Sequence, residues 1–110
     1  MKTIFDLYEL SARRYNENLY TLQEEPETVD ALGVGCLYAL LQDLRVRMNT
    51  LEEVYELSGG TFIKKIGNHG YIEQITLRNP QFSCTMTYDY ETQRFNAQEY
   101  NSTIDKTSTP

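Results

Sequence analysis

Two hydrophobic periods divide the chain. From Ile4 to about Gln23, the residues Phe5, Tyr8, Ala12, Tyr15, Leu19 and Leu22 recur at strict 3-4-3-4-3 spacing. That spacing puts them on one side of a helix, and Ile4, Leu7 and Leu10 widen the stripe over the first turns. Thr3 stands where a cap is needed, with Asp6 three residues later, a shorter relative of the capping box. Pro26 then stops the pattern and biases Glu25 towards extended backbone, so Glu24 to Thr28 reads as an interhelical turn.

A second helix is predicted from about Glu27 or Val29 to Met48. Val34, Leu37, Leu41, Leu44 and Met48 form its stripe, and Leu32, Cys36, Ala39 and Leu40 broaden it. Ala31, Gly35, Tyr38, Gln42, Arg45 and Asn49 remain as a narrow wet face. Gly33 and Gly35 each cost a helix about 1 kcal/mol relative to Ala, which predicts close packing against another backbone at both. Thr50 can cap a short third helix through Leu57, with Glu52 and Glu53 in its first turn and Ser58-Gly59-Gly60 ending it.

From Thr61 the period changes to two. Thr61 to Ile66 and Tyr71 to Arg78 read as strands around the turn Gly67-Asn68-His69-Gly70. After Asn79-Pro80, Phe82, Cys84, Met86 and Tyr88 alternate with Ser83, Thr85, Thr87 and Asp89, the signature of a half-buried strand. Glu91-Thr92-Gln93 turns the chain into a fourth strand, Arg94 to Tyr100. Helices first and strands afterwards predict an α+β domain: two long N-terminal helices and a short third packed on one face of a four-stranded antiparallel meander. Residues 1–100 form this single domain, and the polar residues 101–110 are expected to be a flexible C-terminal tail.

Composition changes this picture little. At 110 residues with 40% hydrophobic and 24% charged residues, the chain has ordinary globular usage and length for one core burying about 65% of its unfolded surface. The first residues carry no uninterrupted apolar run, and no stretch approaches the ~18 apolar residues of a membrane span, so a cytoplasmic protein is expected. Cys36 and Cys84 lie far apart in apolar surroundings and read as buried reduced thiols.

Charge changes it more. Residues 1–60 hold 5 Lys or Arg against 11 Asp or Glu, whereas residues 61–110 hold 5 of each, so the net charge of −6 sits wholly in the helical half. Between Tyr15 and Leu44 there is no basic residue, while Glu17, Glu24, Glu25, Glu27, Asp30 and Asp43 fall inside that window. Such a field repels phosphate backbones and anionic lipids and attracts basic protein surfaces.

The motifs that suggest catalysis fail on order or spacing. Ser58-Gly59-Gly60-Thr61 before Lys64-Lys65 ends a helix and opens a strand, the reverse of a phosphate-binding loop. Leu51 to Ile66 imitates a helix-turn-helix, but its second half has β-branched and aromatic strand formers. His69, the single histidine, sits in a turn without a second ligand type clustered near it, so neither a metal nor a cofactor is expected. No carboxylate pair or nucleophile with a base stands out, and Glu52, Glu53 and Glu56 read as a solvated face, so the chain is not expected to be an enzyme.

Nine tyrosines are the remaining excess. Tyr8 and Tyr15 belong to the first helix's stripe and Tyr71 and Tyr88 to the sheet, and of the other five Tyr20, Tyr38, Tyr90 and Tyr100 are the better surface candidates. Tyrosine supplies rigid contact area with a polar handle. Together with the acidic window it predicts a non-enzymatic protein covering a basic surface on a protein partner. The partner-binding residues are then Glu17, Glu24, Glu25, Glu27, Asp30, Tyr20 and Tyr38. A nucleic-acid-processing enzyme is one such partner, and small inhibitors from phages and mobile elements, of the anti-CRISPR or antirestriction type, share this size and charge class. The second expectation is a structural or regulatory homodimer joined through the stripe of the first helix or a sheet edge. The third is a ligand-binding domain with a pocket lined by Met86, Tyr88 and Phe95.

Overall fold

The computed structural model describes residues 2–100, and of residues 98–100 the backbone only. The expected tail at 101–110 lies outside the described residues. Helix α1 spans Ile4–Glu24, a 3-10 turn follows at Pro26–Thr28, and helix α2 spans Ala31–Leu57. Strands β1 (Thr61–Ile66), β2 (Ile72–Arg78), β3 (Ser83–Asp89) and β4 (Arg94–Tyr100) make one sheet in the order β1-β2-β3-β4, every pair antiparallel.

Helix α1 begins with the reciprocal cap that its sequence predicts. The Asp6 amide donates to Thr3 Oγ1 at 3.3 Å and the Thr3 amide donates to Asp6 Oδ2 at 2.9 Å. Those hydrogen bonds hold the Asp6 carboxyl below its ordinary range. Helix α2 starts later than its hydrophobic pattern suggests. The 3-10 turn takes up Pro26–Thr28, and Asp30 becomes the cap, accepting from the Gly33 amide at 2.8 Å.

The predicted third helix does not exist as a separate element; residues 50–57 continue α2 without a break. Thr50 turns its hydroxyl back onto the Val46 carbonyl, one helical turn earlier, at 3.0 Å. Its side chain therefore serves the helix from within and does not cap a new one. Leu41, Leu44, Met48, Leu51 and Tyr55 stay in 3-4-3-4 register, so packing rewards one long helix. Gly59, at φ +99°, supplies the left-handed residue that ends it.

The core lies between the helix pair and one sheet face. Tyr8, Ala12 and Tyr15 of α1 and Leu41, Leu44 and Met48 of α2 pack over Ile72, Ile75, Leu77, Cys84 and Met86. The other sheet face carries polar residues such as Gln74, Thr76, Thr85 and Thr87, with the Thr76 and Thr85 hydroxyls 3.3 Å apart across the strands. Ladder β1–β2 slips by one residue between Lys65 and Ile66, so that Ile66 pairs with Ile72.

Three expectations fail on helix α2. Cys36 is exposed, not buried, and so are Leu32, Ala39 and Leu40. Only the 34-37-41-44-48-51-55 stripe turns inward, because α1 and the sheet cover one side of α2 and leave the other bare. The tight spot at Gly33 comes from the chain's own Val29, whose Cγ1 an added Cβ would strike, while Gly35 faces open space. The stripe of α1 is consumed by the protein's own core and is not available to a symmetry mate. No helix among the described residues is long and apolar enough to cross a membrane.

A candidate binding face of tyrosines and carboxylates

The second half of α1 lies over the end of the sheet where β2 starts and β3 finishes. Asn16, fully buried, ties the two layers together: its Nδ2 donates to the Ile72 carbonyl and its Oδ1 accepts from the Ile72 amide, both at 2.9 Å. At the next-to-last residue of the helix, Gln23 donates to the His69 carbonyl at 2.8 Å, fixing the β1–β2 turn beneath it. Acidic α1 residues are thereby carried to the sheet's aromatic end.

That end is built from Tyr71, Tyr88, Tyr90 and Phe95. The Tyr90 ring stands edge-on to both Tyr71 (5.8 Å, 85°) and Tyr88 (5.2 Å, 82°), and Tyr88 leans on Phe95 at 4.9 Å. Such perpendicular contacts suit the ring quadrupoles. The β3–β4 turn positions Tyr90: the Glu91 amide donates to Asp89 Oδ1 at 2.9 Å, and the Gln93 amide, at φ 57°, donates to the Asp89 carbonyl at 2.8 Å.

Carboxylates surround these rings. Tyr90 donates its hydroxyl to Glu73 Oε2 at 2.8 Å. Glu17 and Asp89 lie within electrostatic reach of Tyr88, and Glu24 and Tyr20 within reach of Tyr71. Burial, with the charges of Glu17 and Asp89 and the neighbouring Tyr71, pushes the Tyr88 phenol up to about 12. Partial burial followed by Glu73 does the same for Tyr90. Both folded values exceed the ordinary value of about 10. Their stabilising contribution is therefore complete below pH 10 and lost as pH rises towards 12. Titration of tyrosinate absorbance, with circular dichroism in parallel, should show late phenols ionising together with alkaline unfolding. A single step near pH 10 with the fold intact would contradict this placement.

The residues expected from the sequence divide accordingly. Glu17, Tyr20 and Glu24 join the tyrosine end, with Glu17 also 3.9 Å from Arg13 Nη1. Glu25 and Glu27 are exposed in the turn that follows, and Asp30 beside them is exposed while capping α2. Tyr38 is 63% exposed on α2 and makes none of the cluster's ring contacts among the described residues. Sequence reasoning missed Glu73, Asp89 and the exposed side of the Tyr71–Tyr90 pair, because a strand's bulge and a hairpin's turn decide where those residues meet. Met86 and Tyr88 are buried in the helix–sheet layer and Phe95 packs against it, so among the described residues these three fill space.

A second polar constellation joins three elements. Glu52 Oε2 of α2 accepts from the Tyr8 hydroxyl of α1 at 2.8 Å and from Lys64 Nζ of β1 at 3.1 Å. Burial, then the Glu52 charge, pushes the Tyr8 phenol far above its ordinary range, which leaves it a donor and not an acid. A groove of about 350 Å3 beside it is lined by Tyr15, Arg45, Met48, Asn49, Lys64 and Ile66. Its two cations are engaged from within, Lys64 by Glu52 and Arg45 by the Tyr15 hydroxyl at 2.8 Å. No group of three or more His, Cys, Asp or Glu residues placed to hold a metal ion occurs among the described residues.

The chain matches no protein-family model, no characterised protein and no solved structure. The class of protein defined by its own geometry is a two-helix, four-strand α+β domain with an acidic, tyrosine-bearing end.

Proposed function

We propose that this is a non-enzymatic binding protein whose acidic tyrosine end covers a basic surface of a protein partner, with nucleic-acid-processing enzymes as the target class. The observation that carries the reading is the convergence of Glu17, Tyr20 and Glu24 from α1 with Tyr71, Glu73, Tyr88, Asp89 and Tyr90 from the sheet. Carboxylates attract lysine and arginine over a Debye length, and the exposed rings of Tyr20 and Tyr90, with Tyr71 and Tyr88 buried behind them, accept a guanidinium or ammonium at contact. The turn acids Glu25, Glu27 and Asp30 extend the same field past the helix end. A protein that occupies a nucleic-acid groove needs this sign of charge and this kind of contact surface. An inhibitor of the phage or mobile-element type would work in this way.

The test compares the wild type with the triple variant Glu24→Lys, Glu25→Lys, Glu27→Lys, and separately with Tyr90→Ala. Affinity capture from the native host supplies the partner, and titration calorimetry at low and physiological salt measures it. The triple variant should bind at least tenfold more weakly, with a flatter salt dependence. Unchanged affinity and unchanged salt dependence would reject the acidic face.

A further inference from the structure

Helix α2 carries a second apolar stripe, on the side facing away from both α1 and the sheet. Leu32 is 79% exposed at its start and Leu57 88% exposed at its end, with Val46 and Val54 about half exposed between them. Leu40 and Leu7 flank the stripe on the α1 side, where Leu7, Leu10, Val46, Thr50 and Leu51 border an apolar groove of about 360 Å3. Six of these side chains, Leu7, Leu32, Leu40, Val46, Val54 and Leu57, together expose on the order of 700 Å2 per chain, interrupted by the exposed Asp43, Arg47 and Glu53, against the ~800 Å2 per partner of a standard interface.

From these features we infer that α2 pairs antiparallel with α2 of a second copy of this chain about a twofold axis. The occupant follows from the spacing. Between Leu32 and Leu57 the outward positions run at steps of 4-3-4-3-4-3-4, through Cys36, Ala39, Asp43, Val46, Thr50 and Glu53. Read backwards, that series is the same series, so a helix reversed end for end presents the same positions to itself. Reversal places Leu32 against Leu57 of the second copy, Cys36 against Glu53, Ala39 against Thr50, and Asp43 against Val46. Leu40 enters the groove of the second copy between its Val46 and Thr50.

Charge agrees with the same register. Asp43 and Arg47 form an intrahelical pair at 3.0 Å. At the twofold axis each Asp43 lies beside Val46 of the second copy, next to that copy's Arg47, and the two pairs close into a ring of four alternating charges. A parallel arrangement would instead bring Cys36 against Cys36 and like-charged positions together. The antiparallel dimer also sends the two acidic tyrosine ends in opposite directions, leaving both accessible; it does not depend on what those ends bind.

Sedimentation equilibrium of the full chain across the micromolar range tests the dimer, since one chain weighs 12.8 kDa. The wild type should sediment at twice that mass, and Val46→Glu, at a position about half exposed in the single chain, should weaken association at least tenfold while keeping the circular dichroism of the fold. Orientation is tested with Leu32→Cys/Leu57→Cys in a Cys36→Ser background. These positions are about 38 Å apart along one helix and can bond only between copies. That variant should give a covalent dimer under mild oxidation, and the wild type should not. A wild type of single-chain mass throughout, a Val46→Glu dimer of unchanged affinity, or a Cys36–Cys36 link in the wild-type dimer would each overturn the inference.

Discussion

Replacing Asn16 by alanine should destabilise the protein by about 3 kcal/mol, read as a lower urea midpoint at unchanged slope. Asn16 lies on the buried side of α1 and uses both ends of its amide on one residue, Ile72. Ile72 opens β2 at the point where the β1–β2 register slips, and its amide and carbonyl bond to the helix side chain. Alanine would leave both groups in a dry layer without a partner, and buried orphan groups cost about 1–3 kcal/mol each.

Asn16→Asp separates this account from simple packing. Aspartate has the same shape and can still accept from the Ile72 amide, but its second oxygen faces the Ile72 carbonyl. The folded state then favours the protonated acid, which can donate, so the folded pKa lies above the unfolded value of about 4. The variant should be closest to wild type below pH 4 and lose stability as pH rises through the raised folded value. A loss independent of pH, or an alanine variant within about 0.5 kcal/mol of wild type, would mean that the amide does not anchor β2.

Glu52→Leu should cost about as much, near 3 kcal/mol, and most of that loss should be recoverable. Glu52 is the shared acceptor of Tyr8, which is fully buried, and of Lys64, whose side chain is about one-quarter exposed. Leucine strands a phenolic hydroxyl in the core and removes the counter-charge of a half-buried ammonium on the inward face of edge strand β1. The triple variant Tyr8→Phe/Glu52→Leu/Lys64→Met removes all three polar groups together and keeps their apolar volume. It should return to within about 1 kcal/mol of wild type, because an apolar replacement of a whole polar cluster is often close to neutral. A triple variant as unstable as Glu52→Leu alone would show that the loss comes from misfit of leucine and not from stranded partners. Lys64 and Lys65 also place charge on an edge strand, which discourages pairing with another sheet.

Local chemistry made much of this fold legible in advance. The Thr3–Asp6 cap, the α1 stripe, the stop at Pro26, and the change of period at Thr61 act over a few residues, and tertiary packing agrees with each of them. The alternation from Phe82 to Tyr88 likewise names the inward residues of β3 correctly. Thr50 was misleading because a threonine hydroxyl has two local uses, capping a new helix or bonding back to the preceding turn, and only the continuous burial of Met48, Leu51 and Tyr55 selects the second. Cys36 was misleading for a related reason. A helix segment apolar all round does not say which of its sides the rest of the chain can reach.

The candidate face has the same divided origin. Its acids in α1 and the turn are visible as a window without lysine or arginine, since net charge over a segment needs no fold to be counted. Its other half is not visible, because Tyr71 and Glu73 start one strand while Tyr88, Asp89 and Tyr90 end the next. Their meeting depends on an antiparallel register displaced by a bulge and on a helix laid across that end of the sheet. The two long helices, the four strands, their order and where the charge lies could be read along the chain, because these follow from period, caps and composition within a few residues. Packing set the rest: Asn16 as the strand's anchor, Glu52 as a part-buried acceptor, the tyrosine cluster, and the bare outer side of α2. Each of these is a contact between residues tens of positions apart, or the lack of a cover that only the packed chain could have supplied.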